Sequence, residues 1–200
     1  PNSLMVMGAV MLGGIITQKP PVSVTQLTPL ARLTSEYNVF VLPTNSPHKS
    51  MADVIAQLKK DPGSVKWGGG SRGSTEHIAA AMIAREVGVD PAKINYVAFS
   101  GGGEAMAAIL GNQVTAGVSS IGEFSEQVKA GTMRLLAVSS ADRLPGVDAP
   151  TIKEAGFDVV VQNWRMVAAA PGLTDEQKAK IVADIEKLNG SAGWTSMLET

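Results

Sequence analysis

Hydrophobic and polar positions along this chain follow two periods that take turns. The run Leu4-Met5-Val6-Met7, ended by Gly8, predicts a short buried strand. Ala31–Leu42 is rich in β-branched and aromatic residues and stops at Pro43, which predicts a strand from about Thr34. Ser50-Met51-Ala52-Asp53 reads as an N-cap with an acid three residues on. It opens a helix running to Lys60, before Asp61-Pro62-Gly63. Val65-Lys66-Trp67 is a short strand that runs into glycines. Thr75–Val87 then carries Ile78, Met82, Ile83 and Val87 at helical spacing and closes at Gly88.

The alternation continues to the end. Strands are expected at Ile94–Phe99, Gln113–Val118 and Met133–Ser139, with helices at Gly103–Leu110, Glu123–Ala130 and, briefly, Thr151–Ala155. Val159–Ala170 is a long extended run, and Thr174 caps a last helix over Asp175–Leu188. Strands separated by helices of this length imply βαβ units and a mostly parallel sheet, so the fold class is α/β. The two long extended runs bracket the block from Thr44 to Gly156, as strands crossing between two lobes would.

Composition narrows the function classes. The 200 residues are 44% apolar and 18% charged, enough for a sizeable core. Seventeen basic and 18 acidic side chains give a net charge of −1, without any basic run, so a nucleic-acid partner is not expected. Cysteine is absent, which removes disulfides, thiol nucleophiles and Cys-based zinc sites. The apolar stretch Leu4–Ile16 is thirteen residues long, short of the about 20 that span a bilayer, so no membrane insertion is expected. It also lacks the charged start and the cleavage pattern of a signal peptide.

The segment with most chemical content is Trp67-Gly68-Gly69-Gly70-Ser71-Arg72-Gly73-Ser74-Thr75-Glu76-His77, between a strand and a helix. Glycines let the backbone approach a ligand, and a helix N-terminus offers free N–H groups and a positive dipole end to an anion. Ser71, Ser74 and Thr75 add hydroxyls. The same residues also suit a tight turn followed by a Ser74 or Thr75 cap, and both readings stand at this point. Gly68, Gly70 and Gly73 fit a dinucleotide fingerprint, but the next strand ends Ala98-Phe99-Ser100-Gly101 without the acid that would hold a ribose. A P-loop fails because Ser74 stands where lysine is needed.

Two further strand ends are small and polar, Ser100-Gly101-Gly102-Gly103-Glu104 and Val118-Ser119-Ser120-Ile121-Gly122. In an open α/β sheet such ends line one crevice, where ligands bind. Catalytic machinery is thin: His48 reads as a solvated loop residue, and His77 can orient a loop backbone group or touch a ligand. Asp142-Arg143 is a candidate ion pair. No metal motif or nucleophile elbow is present, and no cofactor is implied. An α/β hydrolase with Ser71 or Ser74 as nucleophile and His77 as base is the rival reading, weakened by the lack of a third group to orient His77.

Several segments taken together resemble the extracytoplasmic solute receptors of tripartite tricarboxylate transporters, the Bug-type substrate-binding proteins. They are the glycine loop with Thr75-Glu76-His77-Ile78, Val89-Asp90-Pro91, Asn95–Ala105, Ile109–Val114, Lys129–Ser139, Ala149–Gly156, Asn163-Trp164-Arg165 and Ala170-Pro171-Gly172. The resemblance implies a periplasmic-binding-protein-like fold of two α/β lobes with mostly parallel sheets, joined by long crossing hinge strands. It implies a non-enzymatic periplasmic receptor, a monomer, that closes on a small carboxylate and delivers it to membrane permease subunits. It further implies a chain incomplete at both ends, its signal peptide and first ligand loop lying before Pro1 and a strand and helix after Thr200. On this basis residues 1–42 are a remnant of the first lobe with the first hinge strand. Residues 43–158 are the second lobe, and 159–200 the return strand and a first-lobe helix. The carboxylate loop falls on Gly70, Ser71, Gly73, Ser74, Thr75 and His77. Gly101, Gly102 and Ser119 are the further candidates on the crevice, and Gly8 is the candidate in the first lobe. Family members that bind amino acids carry an Asp where this chain has Ser119, so a purely anionic di- or tricarboxylate such as citrate is expected.

Overall fold

A computed structural model describes residues 3–21 and 23–198; Pro1, Asn2, Val22, Glu199 and Thr200 lie outside the described residues. The elements in chain order are β1 (Leu4–Gly8), α1 (Ala9–Gln18), β2 (Thr28–Pro43), α2 (Met51–Lys60), β3 (Lys66–Gly69), α3 (Thr75–Glu86), β4 (Asn95–Ala98), α4 (Gly102–Leu110), β5 (Ala116–Ser120), α5 (Ile121–Lys129), β6 (Met133–Val138), β7 (Gln162–Ala169), α6 (Asp175–Asn189) and α7 (Ala192–Leu198). The chain divides into two units, Pro1–Ser35 with Trp164–Thr200, and Glu36–Asn163. The divisions fall inside β2 and β7, so each of these strands runs through both units.

The Glu36–Asn163 unit is built on a sheet in the order β4-β3-β5-β2-β6. Strands β3, β4 and β5 are parallel, and β2 is antiparallel to β5 and β6. Side chains alternate across β2, which therefore feeds both faces. Phe40 and Leu42 enter a core with Trp67, Tyr96 and Val118, covered by α2 and α3. Val39 and Val41 enter the other core with Val138, Ala108 and Ile109 of α4 and Phe124 of α5. In α2 the apolar residues Met51, Val54, Ile55 and Leu58 lie at i, i+3, i+4 and i+7 and are all buried. Each contributes about 1.5–3 kcal/mol through burial. Ser50 and Asp53 close a full capping box at its start, as the sequence predicts.

In the other unit β1 pairs antiparallel with β7, Leu4 opposite Ala169 and Gly8 opposite Arg165. Thr174 and Gln177 form a second capping box at the start of α6. This unit leaves Leu4, Val6, Met11, Ile16, Leu188, Met197 and Leu198 exposed. Among the described residues no helix is long and apolar enough to cross a membrane.

Some expectations differ from the structure. Thr151–Ala155 is a turn rather than a helix. Thr151 N–H donates to the Glu154 carboxylate, Glu154 N–H returns to Thr151 Oγ1, and Gly156 leaves the turn at φ +98°. One closed turn before a left-handed glycine does not propagate. Arg143 pairs with Glu154 at 2.9 Å, not with Asp142. Strand β5 begins at Ala116 rather than Gln113, because Asn112 takes φ +55° and Gln113 N–H still bonds Ala108 O of α4. Helix α1 follows the glycine that ends β1, within what reads in sequence as one apolar run.

Candidate functional site

Parallel strands in the Glu36–Asn163 unit all end on one edge of the sheet. Helix α3 carries the chain from β3 outward to β4, and α4 brings it back past β3 to β5. The two crossovers lie on opposite faces, since α3 packs in one core and α4 in the other. The gap between the carboxyl ends of β3 and β5 is therefore a topological switch point, where open α/β sheets bind ligands. Three loops converge on this edge, after Gly69, after Ala98 and at Ser119-Ser120.

The loop after β3 is closed by its own residues. Gly73 takes φ +84°, and Ser74 N–H bonds Ser71 O at 3.0 Å. Ser74, 2% exposed, caps α3 by accepting from His77 N–H. His77 Nδ1 accepts from Gly73 N–H at 3.1 Å, so the imidazole does orient a loop amide. Burial, with a lesser contribution from the Arg72 charge, holds the His77 pKa below its ordinary value. Neutral His77 is what Nδ1 acceptance requires. Its ring lies on Tyr96 with centroids 4.4 Å apart. The Tyr96 hydroxyl donates to Gly70 O at 2.9 Å and reaches Ser74 Oγ at 3.5 Å. Burial pushes the Tyr96 phenol up, which keeps this donor protonated. Gly69 admits no side chain: a β-carbon would sit 2.6 Å from Tyr96 Oη and 2.9 Å from Val118 O. Thr75 is buried, with its hydroxyl on Glu76, while Ser71 and Arg72 are exposed.

The two neighbouring loops are open where this one is closed. Helix α4 starts from Gly101 and α5 from Ser120, and neither has a side-chain cap. Among the described residues no side chain caps their first N–H groups, which no helix can satisfy internally. Ser119, 7% exposed, donates its hydroxyl to Glu123. The Glu123 carboxyl packs directly over Gly102, and Gly101 has open space where a side chain would stand. In the other unit Gly8 is the N-cap of α1, again without a side-chain cap, and lies against Trp164 O and the Arg165 guanidinium.

The structure thus gathers Gly70, Ser71, Gly73, Ser74, Thr75, His77, Gly101, Gly102 and Ser119 in the loops of one unit, and Gly8 belongs to the other. Sequence reasoning passed over Asn38, within β2, which pairs with Ser120 at the end of β5. Its backbone exchanges two hydrogen bonds with Ser139, while Nδ2, in a residue 2% exposed, has no partner among the described residues. A buried orphan donor costs about 1–3 kcal/mol unless something accepts from it. Nothing in the local sequence marks it; only strand register brings it there. Glu76 and Glu123 were also missed as neighbours of Gly70 and Gly102.

The hydrolase arrangement is not assembled. Ser74 Oγ contacts the His77 backbone and Tyr96, and neither Ser71 nor Ser74 bonds the His77 imidazole among the described residues. No group of three His, Cys, Asp or Glu among the described residues could hold a metal ion.

Both the sequence and the fold match known proteins. Protein BugT of Bordetella pertussis is 33% identical over 136 residues, 66% of this chain and 41% of BugT. A TctC solute binding protein from Polaromonas superposes with a TM-score of 0.79 at 24% identity, over 98% of this chain and 67% of that one. MatC from Rhodopseudomonas palustris, solved with bound malate, superposes with a TM-score of 0.78 at 22% identity, over 94% and 65% of the two chains. Against curated relatives the chain spans roughly half of their length or less. The profile of the family described as the tripartite tricarboxylate transporter family receptor matches residues 4–192, and the chain belongs to that family.

Proposed function

We propose that this protein is an extracytoplasmic, periplasmic solute receptor. It takes a small di- or tricarboxylate, with citrate the leading candidate, and hands it to membrane permease subunits. One observation carries the reading. At the carboxyl edge of the sheet, two helices whose first turns meet at Gly102 and Glu123 present N-termini without side-chain caps, on loops of glycine and serine. A carboxylate is the group such N–H donors and hydroxyls recognise. The family is one of receptors, and MatC, with bound malate, shares the fold. These support binding without turnover, as does the absence of a Ser–His bond among the described residues.

The test is thermal unfolding of the protein against citrate, malate, succinate, tricarballylate, amino acids and NAD. A ligand that binds the native state adds about 2.7 kcal/mol at a hundredfold excess over Kd. At least one di- or tricarboxylate should raise the midpoint in a saturable way, and NAD should not. A shift with NAD alone, or with no carboxylate, overturns the proposal.

A further inference from the structure

The start of α5, Ser120-Ile121-Gly122-Glu123, has the spacing of a capping box. In such a box Ser120 accepts from Glu123 N–H and the Glu123 carboxylate accepts from Ser120 N–H. Helices α2 and α6 make both bonds with residues at the same spacing. Helix α5 makes no side-chain cap at all. Its glutamate turns away from the helix it would cap and accepts the hydroxyl of Ser119 instead. It also lies so tightly over Gly102 that a β-carbon at that position would overlap its carboxyl atoms. The two other first-turn glutamates on this edge also accept one neighbouring hydrogen bond each, Glu104 from Ser100 N–H and Glu76 from the Thr75 hydroxyl, but neither stands three residues after a serine N-cap. Glu123 is solvent-exposed, and no lysine or arginine forms an ion pair with it among the described residues.

A carboxylate accepts and never donates. Held beside the uncapped starts of α4 and α5, it repels a ligand that is carboxylate throughout and favours one that brings a donor to it. We infer that Ser119 and Glu123 form the acceptor end of the binding site, which selects carboxylates bearing a hydroxyl or ammonium on the carbon next to a carboxylate group. The inference rests on the receptor reading above and adds the substrate class to it. Both donors suit Glu123 chemically: a hydroxyl gives one charge-assisted hydrogen bond, and an ammonium adds an ion pair. An analogue without the donor leaves Glu123 facing the ligand unpaired, and sites built this way discriminate strongly.

The experiment is calorimetric titration of the protein with matched ligands, malate or aspartate against succinate and citrate against tricarballylate, repeated with Glu123→Ala and Glu123→Gln. At least one donor-bearing ligand of the set should bind about tenfold or more tightly than its donor-free match, and whether malate or aspartate exceeds succinate names the donor. Glu123→Ala should bring each pair to within about twofold while succinate affinity holds or rises. If Glu123→Ala does not fold, as circular dichroism will show, Glu123→Gln decides, because it keeps shape and removes charge. It should abolish any preference for aspartate and reduce that for malate. Wild-type protein that binds succinate and tricarballylate as tightly as their partners overturns this inference and leaves the receptor reading intact. Discrimination that survives undiminished in the folded variants overturns it as well. Failure of every carboxylate to bind overturns the receptor reading, and this inference with it.

Discussion

Tyr96→Phe removes one oxygen atom and should loosen the loop after β3 without unfolding the unit around it. The Tyr96 ring, 5% exposed, stays against His77, and Ser74 continues to cap α3. What disappears is the 2.9 Å hydrogen bond to Gly70 O and the weaker approach to Ser74 Oγ at 3.5 Å. A neutral hydrogen bond contributes about 0.5–1.5 kcal/mol net, and an orphaned buried acceptor raises the loss to about 1–3 kcal/mol. Gly70 is only half-buried, so water reaches part of its carbonyl and the lower half of that range applies. A loss of about 1–2 kcal/mol lowers the melting midpoint by roughly 3–6 °C in a chain of this size. Thermal unfolding measures the midpoint, and amide exchange reads the loop directly, since Gly70 to Gly73 should exchange faster while α3 stays protected. A midpoint within about 1 °C of wild type, with unchanged loop exchange, would mean that Tyr96 does not hold the loop.

Gly69→Ala forces a β-carbon to within 2.6 Å of Tyr96 Oη and 2.9 Å of Val118 O, and should cost about 1–3 kcal/mol in urea unfolding. Gly101→Ala, at an extended φ of −166° with nothing within 4 Å, should stay within about 0.5 kcal/mol of wild type; equal losses at both sites would refute the close-packing argument. His77 supplies a pH dependence. Its folded pKa lies below the unfolded value of 6.5, so the unfolded chain takes up a proton first as pH falls. The stability associated with neutral His77 is present above pH 6.5 and is lost as pH drops through 6.5 toward the folded pKa. His77→Gln should flatten that segment of the stability–pH curve, and a slope unchanged by the substitution would assign it to other groups.

Local signals in this chain are read correctly where a helix start is a matter of neighbouring residues. Ser50 with Asp53, Ser74 before Thr75 and Thr174 before Asp175 each cap the helix that the sequence announces. Ser120 and Glu123 have the same spacing as Ser50 and Asp53, and no side-chain cap forms there. The difference is tertiary: β5 delivers Ser119 and α4 delivers Gly102 to the Glu123 carboxylate, and no window of a few residues contains all three. Thr151 and Glu154 show the converse, since their reciprocal bonds form and still support only a turn.

Asn38 follows the same logic on a longer scale. In sequence it is a polar interruption within a predicted strand, before Val39-Phe40-Val41-Leu42, with nothing to separate it from any solvent-facing strand asparagine. Its place opposite Ser120 depends on β2 pairing with β5, some eighty positions away along the chain. The glycine loops were legible because glycine is chosen for backbone reasons that a short segment reveals. The acceptors and the orphan donor beside them are ordinary residue types, whose meaning comes from strand order alone. In a parallel sheet that order is fixed by crossovers, so the strand-end residues divide in legibility: the glycine loops are visible in the string, and the side chains that strand order brings beside them are not.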